Sequence, residues 1–275
     1  MTRTTKPPKA AATKVRAAPA TPVPLYGTPE WVAYRKAAIA KTSGFMDYGD
    51  PTGAAGHEYG IRVSSRLTRD YRRTYKKLAM DIGPNQVVDV LAKAGLKKWV
   101  LIGLHSYVGY LPDPRATQDV DILVSQREKT KAAMAIREAW PTLIVNEFPE
   151  VVRFSDPNDL DFEGNLKPTI DLMLPCLAIF RTILKHHVLI DEKTQHAILN
   201  IEAALVSKYS ALMSETRPRD KREMDGADFR RIAKANRKLI DLASLRLLAE
   251  EVSGGAGDEV VKFLDLAFNE QPFPF

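Results

Sequence analysis

The chain has 275 residues, 45% of them hydrophobic, and its 40 basic and 34 acidic side chains leave a net charge of +6. That apolar content suffices for a sizeable core in one large domain or two modest ones. The single cysteine, Cys176, excludes an internal disulfide, and no apolar run reaches the roughly 18 residues of a membrane span. A cytoplasmic protein with no membrane partner is therefore expected. Five of the six net positive charges belong to Arg3, Lys6, Lys9, Lys14 and Arg16, in a stretch without acids. The rest of the chain is close to neutral, so net charge alone is weak ground for nucleic-acid binding.

Residues 1–25, rich in Ala, Pro, Thr and Lys, cannot bury a core and read as a disordered basic tail. Thr28 and Pro29 open a helix to about 41, within an expected helical extension over 26–83. Residues 43–63 hold five glycines and read as loop. A strongly basic helix follows over 64–80; its face is either solvated or a phosphate-contacting surface for RNA. An α/β domain is expected over 84–191. It starts with a helix at 84–96 stopped by Gly95, then an apolar strand at 99–102 and a turn from Gly103 into a short helix. A strand follows at 119–124, a helix at 126–140 capped by Ser125, and strands at 142–147 and 150–155. An acidic loop at 158–165, a strong strand at 168–174, a helix at 176–185 and an extended piece at 188–190 complete it. Residues 192–275 read as a helical domain, with helices at about 197–214, 218–236, 239–252 and 257–268. The fold class is thus α/β (α+β): a mixed sheet flanked by helices, followed by a C-terminal helical unit.

Asp119 and Asp121 alternate with Val120, Ile122 and Val124, so both carboxylates leave one face of a strand. Asp171 leaves its own strand in the same way, between Ile170 and Leu172. If the strands are neighbours, three carboxylates converge, and without a cation they raise one another's pKa. Such a set suits hard cations with oxygen ligands. Two Mg²⁺ ions held there would support in-line phosphoryl or nucleotidyl transfer. His186 and His187 are adjacent and have no partner at a zinc-like spacing.

Gly103, the run Arg115-Ala116-Thr117-Gln118-Asp119-Val120-Asp121 and the distant Asp171 resemble the nucleotidyltransferase superfamily of the DNA polymerase β type. The Arg-x-Thr-x-Asp-x-Asp form looks most like the branch of AbiEii/MenT toxins and minimal nucleotidyltransferases. The resemblance implies catalytic, metal-binding Asp119, Asp121 and Asp171, with a phosphate turn at Gly103. The chain departs from the family at Leu104, where Gly or Ser is usual; His105 or Ser106 would then supply the side-chain contact. Arg115 would bind phosphate or acceptor, or pair with an aspartate. Lys208 shares a helix stripe with Ile201, Leu205 and Leu212, where a lysine needs an anion; a triphosphate is the anion implied. Arg217 or Arg219 would add to it. Asp225 and Asp228 correspond to a D-x-x-D-like pair, or simply pair with Lys221.

The expected function is Mg²⁺-dependent transfer of an NMP from an NTP to an RNA (tRNA) or protein acceptor. The resemblance implies the toxin of a toxin–antitoxin or abortive-infection system, with a cognate antitoxin as partner. The alternatives are a small-molecule, antibiotic-type nucleotidyltransferase and a catalytically silent nucleotidyltransferase-like binding protein.

Overall fold

The structure is a computed structural model and describes residues 56–274, together with Pro24, 28–30, Ala33 and 50–52. Apart from those few positions, the tail expected at 1–25 and the helix expected at 29–41 lie outside the described residues. The elements that follow belong to the compact unit Met46–Phe275.

Helices α1 (His57–Tyr75) and α2 (Pro84–Lys93) precede strand β1 (Trp99–Leu101) and the short helix α3 (Leu104–Tyr107). Strand β2 (Val120–Val124), helix α4 (Lys129–Ala139) and strands β3 (Ile144–Glu147), β4 (Val151–Leu160) and β5 (Leu166–Met173) follow. The five strands form one mixed α/β sheet in the order β1-β2-β5-β4-β3. β2 and β5 run parallel, with Asp121 opposite Asp171, and the other neighbours are antiparallel. Helix α5 (Ala178–His186) leads to a hairpin of β6 (Val188–Ile190) and β7 (Ala197–Leu199), then to helices α6 (Ile201–Met213), α7 (Arg219–Ala235), α8 (Leu242–Ala249) and α9 (Ala256–Phe268).

Side-chain alternation divides the core between the sheet's two faces. Leu101, Val120, Ile122, Phe154, Ile170 and Leu172 bury one face against Val87 and Leu91 of α2 and Ala132 and Ile136 of α4. On the other face Val100 and Leu123 pack with Ile179 and Ile183 of α5. That cluster continues through Leu205, Phe229, Leu245 and Phe263 of the C-terminal helices. The carboxylates of β2 and β5 therefore point toward the helical half of the molecule.

Three expectations are corrected. The loop expected to end at 63 gives way to α1 from His57. Gly60 is a contact residue and not a turn residue, since a Cβ there would sit 2.8 Å from Val108. The acidic loop expected at 158–165 shrinks because β4 runs on to Leu160. Its register shifts on either side of Ser155 accommodate Pro157 in the strand. The helix expected from 197 begins only at Ile201, where the Asn200 side chain accepts from the Ala203 N–H at 3.0 Å. The apolar triplet before it is strand β7; so short a run does not distinguish helix from strand.

The start of α1 is tied to the β6–β7 hairpin by a buried imidazole pair, His57 Nε2 to His196 Nδ1 at 2.9 Å. One ring must donate and the other accept, so at least one stays neutral. Burial, reinforced by His196, pushes the His57 pKa down to about 3, and burial pushes His196 down to about 4. Above pH 6.5 both are neutral in the folded and unfolded chains. Below it the unfolded chain takes up protons that the folded chain refuses, so stability falls as pH drops from 6.5 toward 4. The expected slope is up to about 1.4 kcal/mol per pH unit for each histidine. Urea unfolding at stepped pH checks this; a flat profile over that window would contradict it.

Candidate active site

Three adjacent strands place one polar row across the sheet. Asp121 of β2 lies opposite Asp171 of β5, which lies opposite Arg153 of β4. Arg153 grips Asp171 with both arms, Nε to Oδ1 at 2.9 Å and Nη2 to Oδ2 at 2.8 Å. A bidentate charge-assisted pair is the strongest of the common side-chain hydrogen-bonding arrangements. Sequence reasoning missed Arg153, although its signal was present: Val152 and Phe154 alternate with it, as Ile170 and Leu172 do with Asp171.

Gly103, at the end of β1, has φ +60°, and a Cβ on it would lie 2.1 Å from Asp121 Oδ2. The glycine therefore lets a carboxylate approach the backbone in a conformation that other residues rarely adopt. The helix after it, α3, has four residues, too few for a strong terminal dipole. Leu104, at the departure from the family pattern, is buried in the core shared with the C-terminal helices.

Asp119 immediately precedes β2, and Thr117 Oγ1 donates to its Oδ1 at 2.6 Å. The leading segment is buttressed by α1: Thr68 Oγ1 donates to the Thr117 carbonyl at 2.7 Å, and Arg72 Nη2 to the Gln118 carbonyl at 2.6 Å. Arg72 is buried and also reaches the Ile82 carbonyl at 3.1 Å. Part of the basic helix is thus internal scaffolding and neither a solvated nor an RNA-facing surface. Thr68 and Arg72, one helical turn apart, were not identified from the sequence in this role.

The helical half supplies cations that carry their own acids. Lys208 Nζ lies 2.7 Å from Asp225 Oδ1, 3.3 Å from Asp228 Oδ2 and 4.8 Å from the centre of the Tyr107 ring. Arg217 also binds Asp225, whereas Arg219 turns outward to Glu223. Arg115 pairs with Asp228 at 2.7 Å, and Tyr107 donates to the same carboxylate at 2.6 Å. Lys208 therefore meets carboxylates on its own chain, and Asp225 pairs with Lys208 and Arg217, not with Lys221. Burial alone would lower the Lys208 pKa; Tyr107, Asp225 and Asp228 more than reverse that and hold it above its ordinary value. Burial raises the Asp228 pKa, but Arg115, Lys208 and Tyr107 together bring it below the usual range.

Two adjoining cavities of about 420 and 780 Å³ open over this arrangement, and both are lined by Gly103, Asp119, Asp121, Lys208 and Arg217. Ser106 lines the larger, and its hydroxyl donates to the Gly103 carbonyl at 2.8 Å. Arg115 lines the smaller. His105 lines neither; it lines a third cavity together with Thr117, Gln118 and Asp119. Asp171, Asp225 and Asp228 each have a cationic partner. Among the described residues Asp119 and Asp121 have none within salt-bridge distance. Burial raises the Asp121 pKa well above the carboxylate range, and Asp119 and Asp171 raise it further. Among the described residues no three acidic, His or Cys side chains form a ready metal cluster. A cation at Asp119 and Asp121 would draw its remaining ligands from a bound substrate, from water, or from Asp171 if Arg153 released it.

No protein-family model and no curated protein sequence matches the chain. Among solved structures, the chain is similar to the crystal structure of an antigenic nucleotidyltransferase-like protein from Paracoccidioides brasiliensis. The TM-score is 0.39 and the identity 14%, over 78% of this chain and 94% of that one.

Two variants test the crowding of Asp121. A carboxyl whose pKa is raised on folding costs stability increasingly as pH rises from its unfolded toward its folded value, and the cost is constant above that. Asp121→Asn is therefore expected to stabilise the metal-free protein at neutral pH, with the gain vanishing toward pH 4. Gly103→Ala is expected to destabilise by about 1–3 kcal/mol, because it combines positive-φ strain with a clash against Asp121. Thermal unfolding at two pH values measures both; a destabilised Asp121→Asn at neutral pH would contradict the first.

Proposed function

We propose that the protein is a divalent-metal-dependent nucleotidyltransferase. The observation that carries this reading is the pair Asp119 and Asp121: neighbouring carboxylates with no cationic partner among the described residues, beside a glycine that leaves room for one of them. The donor set is all carboxylate oxygen, which suits Mg²⁺. Asp119 and Asp121 would hold the metal and Thr117 would orient Asp119. Asp171 would enter the metal shell by releasing Arg153, or else stay paired and fix the position of the row. When bound, the metal would supply Lewis-acid stabilisation of phosphoryl charge.

The chain's own residues account for the rest. Lys208 and Arg217 line the cavities beside the carboxylates and would take the triphosphate in exchange for Asp225, with Lys221 at the rim. Ser106 lies beside Gly103 on the same wall. In the reaction an acceptor hydroxyl oxygen bonds to the α-phosphorus of an NTP. The bond from that phosphorus to the β-bridging oxygen breaks, pyrophosphate leaves, and the hydroxyl proton passes to a base. An RNA or protein acceptor, and a toxin role with a cognate antitoxin, are supported by the Arg-x-Thr-x-Asp-x-Asp element alone. One feature favours a second reading, a silent nucleotidyltransferase-like binding protein: Asp171 is fully occupied by Arg153.

Incubating the full chain with each labelled NTP, Mg²⁺ and total tRNA separates the two. Label transfer that falls to background in Asp119→Ala, with that variant still folded by circular dichroism, is the expected result. No transfer to tRNA or protein and no Mg²⁺-dependent NTP binding would sink the enzymatic reading.

A further inference from the structure

The third cavity, of about 310 Å³, lies between α1, the start of α2 and the segment leading into β2. It shares Thr117, Gln118 and Asp119 with the smaller of the other two and Asp119 with the larger, so all three adjoin at that residue. Ser65, Arg69 and Arg72 of α1 form one wall. The first turn of α2 forms another. Because α2 starts at Pro84, the amides of Asn85 and Gln86 have no helical acceptor. His105 closes the inner end; its ring is 4% exposed and makes no hydrogen bond among the described residues. Neither ring nitrogen is fully enclosed, so the ring can take a hydrogen-bond partner from the cavity. Arg72 Nε, by contrast, is fully buried and has no hydrogen-bond partner among the described residues.

From the mouth of this cavity a row of exposed arginines runs along α1. Arg62, Arg66, Arg69 and Arg73 are spaced 4, 3 and 4 apart and so share one helix face. Arg69 belongs both to this row and to the cavity wall, where it pairs with Asp81 at 2.8 Å. First-turn amides and arginines together suit a phosphate, and a basic row leading away suits the phosphates that follow along a strand.

We propose that this cavity is the acceptor subsite and that it takes the 3′-terminal nucleotide of an RNA strand. The terminal hydroxyl would face His105 and Asp119, the terminal phosphate the start of α2 and Arg69, and the preceding backbone the arginine row. The proposal rests on the nucleotidyltransferase reading and adds to it a direction of approach: nucleotide from the helical half, acceptor from the α1 side. His105, grouped with the nucleotide on sequence grounds, becomes the acceptor's hydrogen-bond partner. Arg69 exchanges Asp81 for the incoming phosphate.

The test uses the full chain and total tRNA. Ser65→Trp fills the cavity from its α1 wall, Arg69→Glu reverses the charge at its mouth, and His105→Phe removes the inner hydrogen-bonding group. Each is expected to raise the KM for tRNA by about tenfold or more, while Mg²⁺-dependent binding of the labelled NTP stays within about twofold of the parent. Photocrosslinking of RNA carrying a 3′-terminal 4-thiouridine, which needs no turnover, is expected to label peptides within 57–93. An unchanged tRNA KM in Ser65→Trp and Arg69→Glu, or crosslinks confined to α6 and α7, would overturn the proposal while leaving the nucleotidyltransferase reading in place. Label passing to protein and not to tRNA would also overturn it. Loss of NTP binding in the parent chain would remove both.

Discussion

Charge balance across the sheet governs the arrangement of this molecule. Arg153 neutralises Asp171 within the row, and Lys208, Arg217 and Arg115 neutralise Asp225 and Asp228 in the helical half. The second of these networks joins α6 and α7 to the loop before β2, and so holds the C-terminal helices over the carboxylate face. Replacing one partner in such a buried network leaves an uncompensated charge, which costs far more than the pair contributes in place. The geometry of the site is therefore inseparable from the packing of the two halves.

Against that background the pair Asp119 and Asp121 stands out by contrast. Among the described residues every other acid in the row or the network has a cationic partner, and these two have none. The fold spends local order on keeping them together. Thr117 aligns Asp119, Thr68 and Arg72 secure the backbone ahead of it, and Gly103 gives up its side chain to admit Asp121. A structural role would be served more cheaply by a neutral residue at position 121. Under the proposed function a metal–nucleotide complex would bring both a cation for these acids and an anion that could exchange with Asp225.

Much of the sheet was legible in the sequence because one-sided burial writes itself as alternation, as in Asp119 to Val124 and Ile170 to Leu174. Alternation puts each aspartate on one face of its strand, and the parallel pairing of β2 with β5 brings Asp121 opposite Asp171. What stayed hidden is non-local. Arg153 has the right alternation, but its pairing with Asp171 depends on the β4–β5 register, which no spacing encodes. Lys208 lies on an apolar stripe whose spacing calls for an anion, but no spacing names the anions it meets, Asp225 and Asp228 on another helix. Gly60 read as a turn because close helix packing and chain reversal both select glycine. The triplet 197–199 read as helix because three apolar residues carry no period.

Arg72 and Arg69 show how one basic helix divides its labour. Arg72 is directed inward and spends its donors on the carbonyls of Ile82 and Gln118, so it is scaffolding for the carboxylate segment. Arg69, three residues earlier and so on a neighbouring face, is half-paired at a cavity mouth and continuous with exposed arginines on either side. A purely solvated face would not need the first, and a purely structural helix would not need the row that includes the second. The helix thus couples a surface suited to phosphates with the backbone that positions Asp119, and anything gripping the arginine row would press on the same segment that carries the candidate metal ligands.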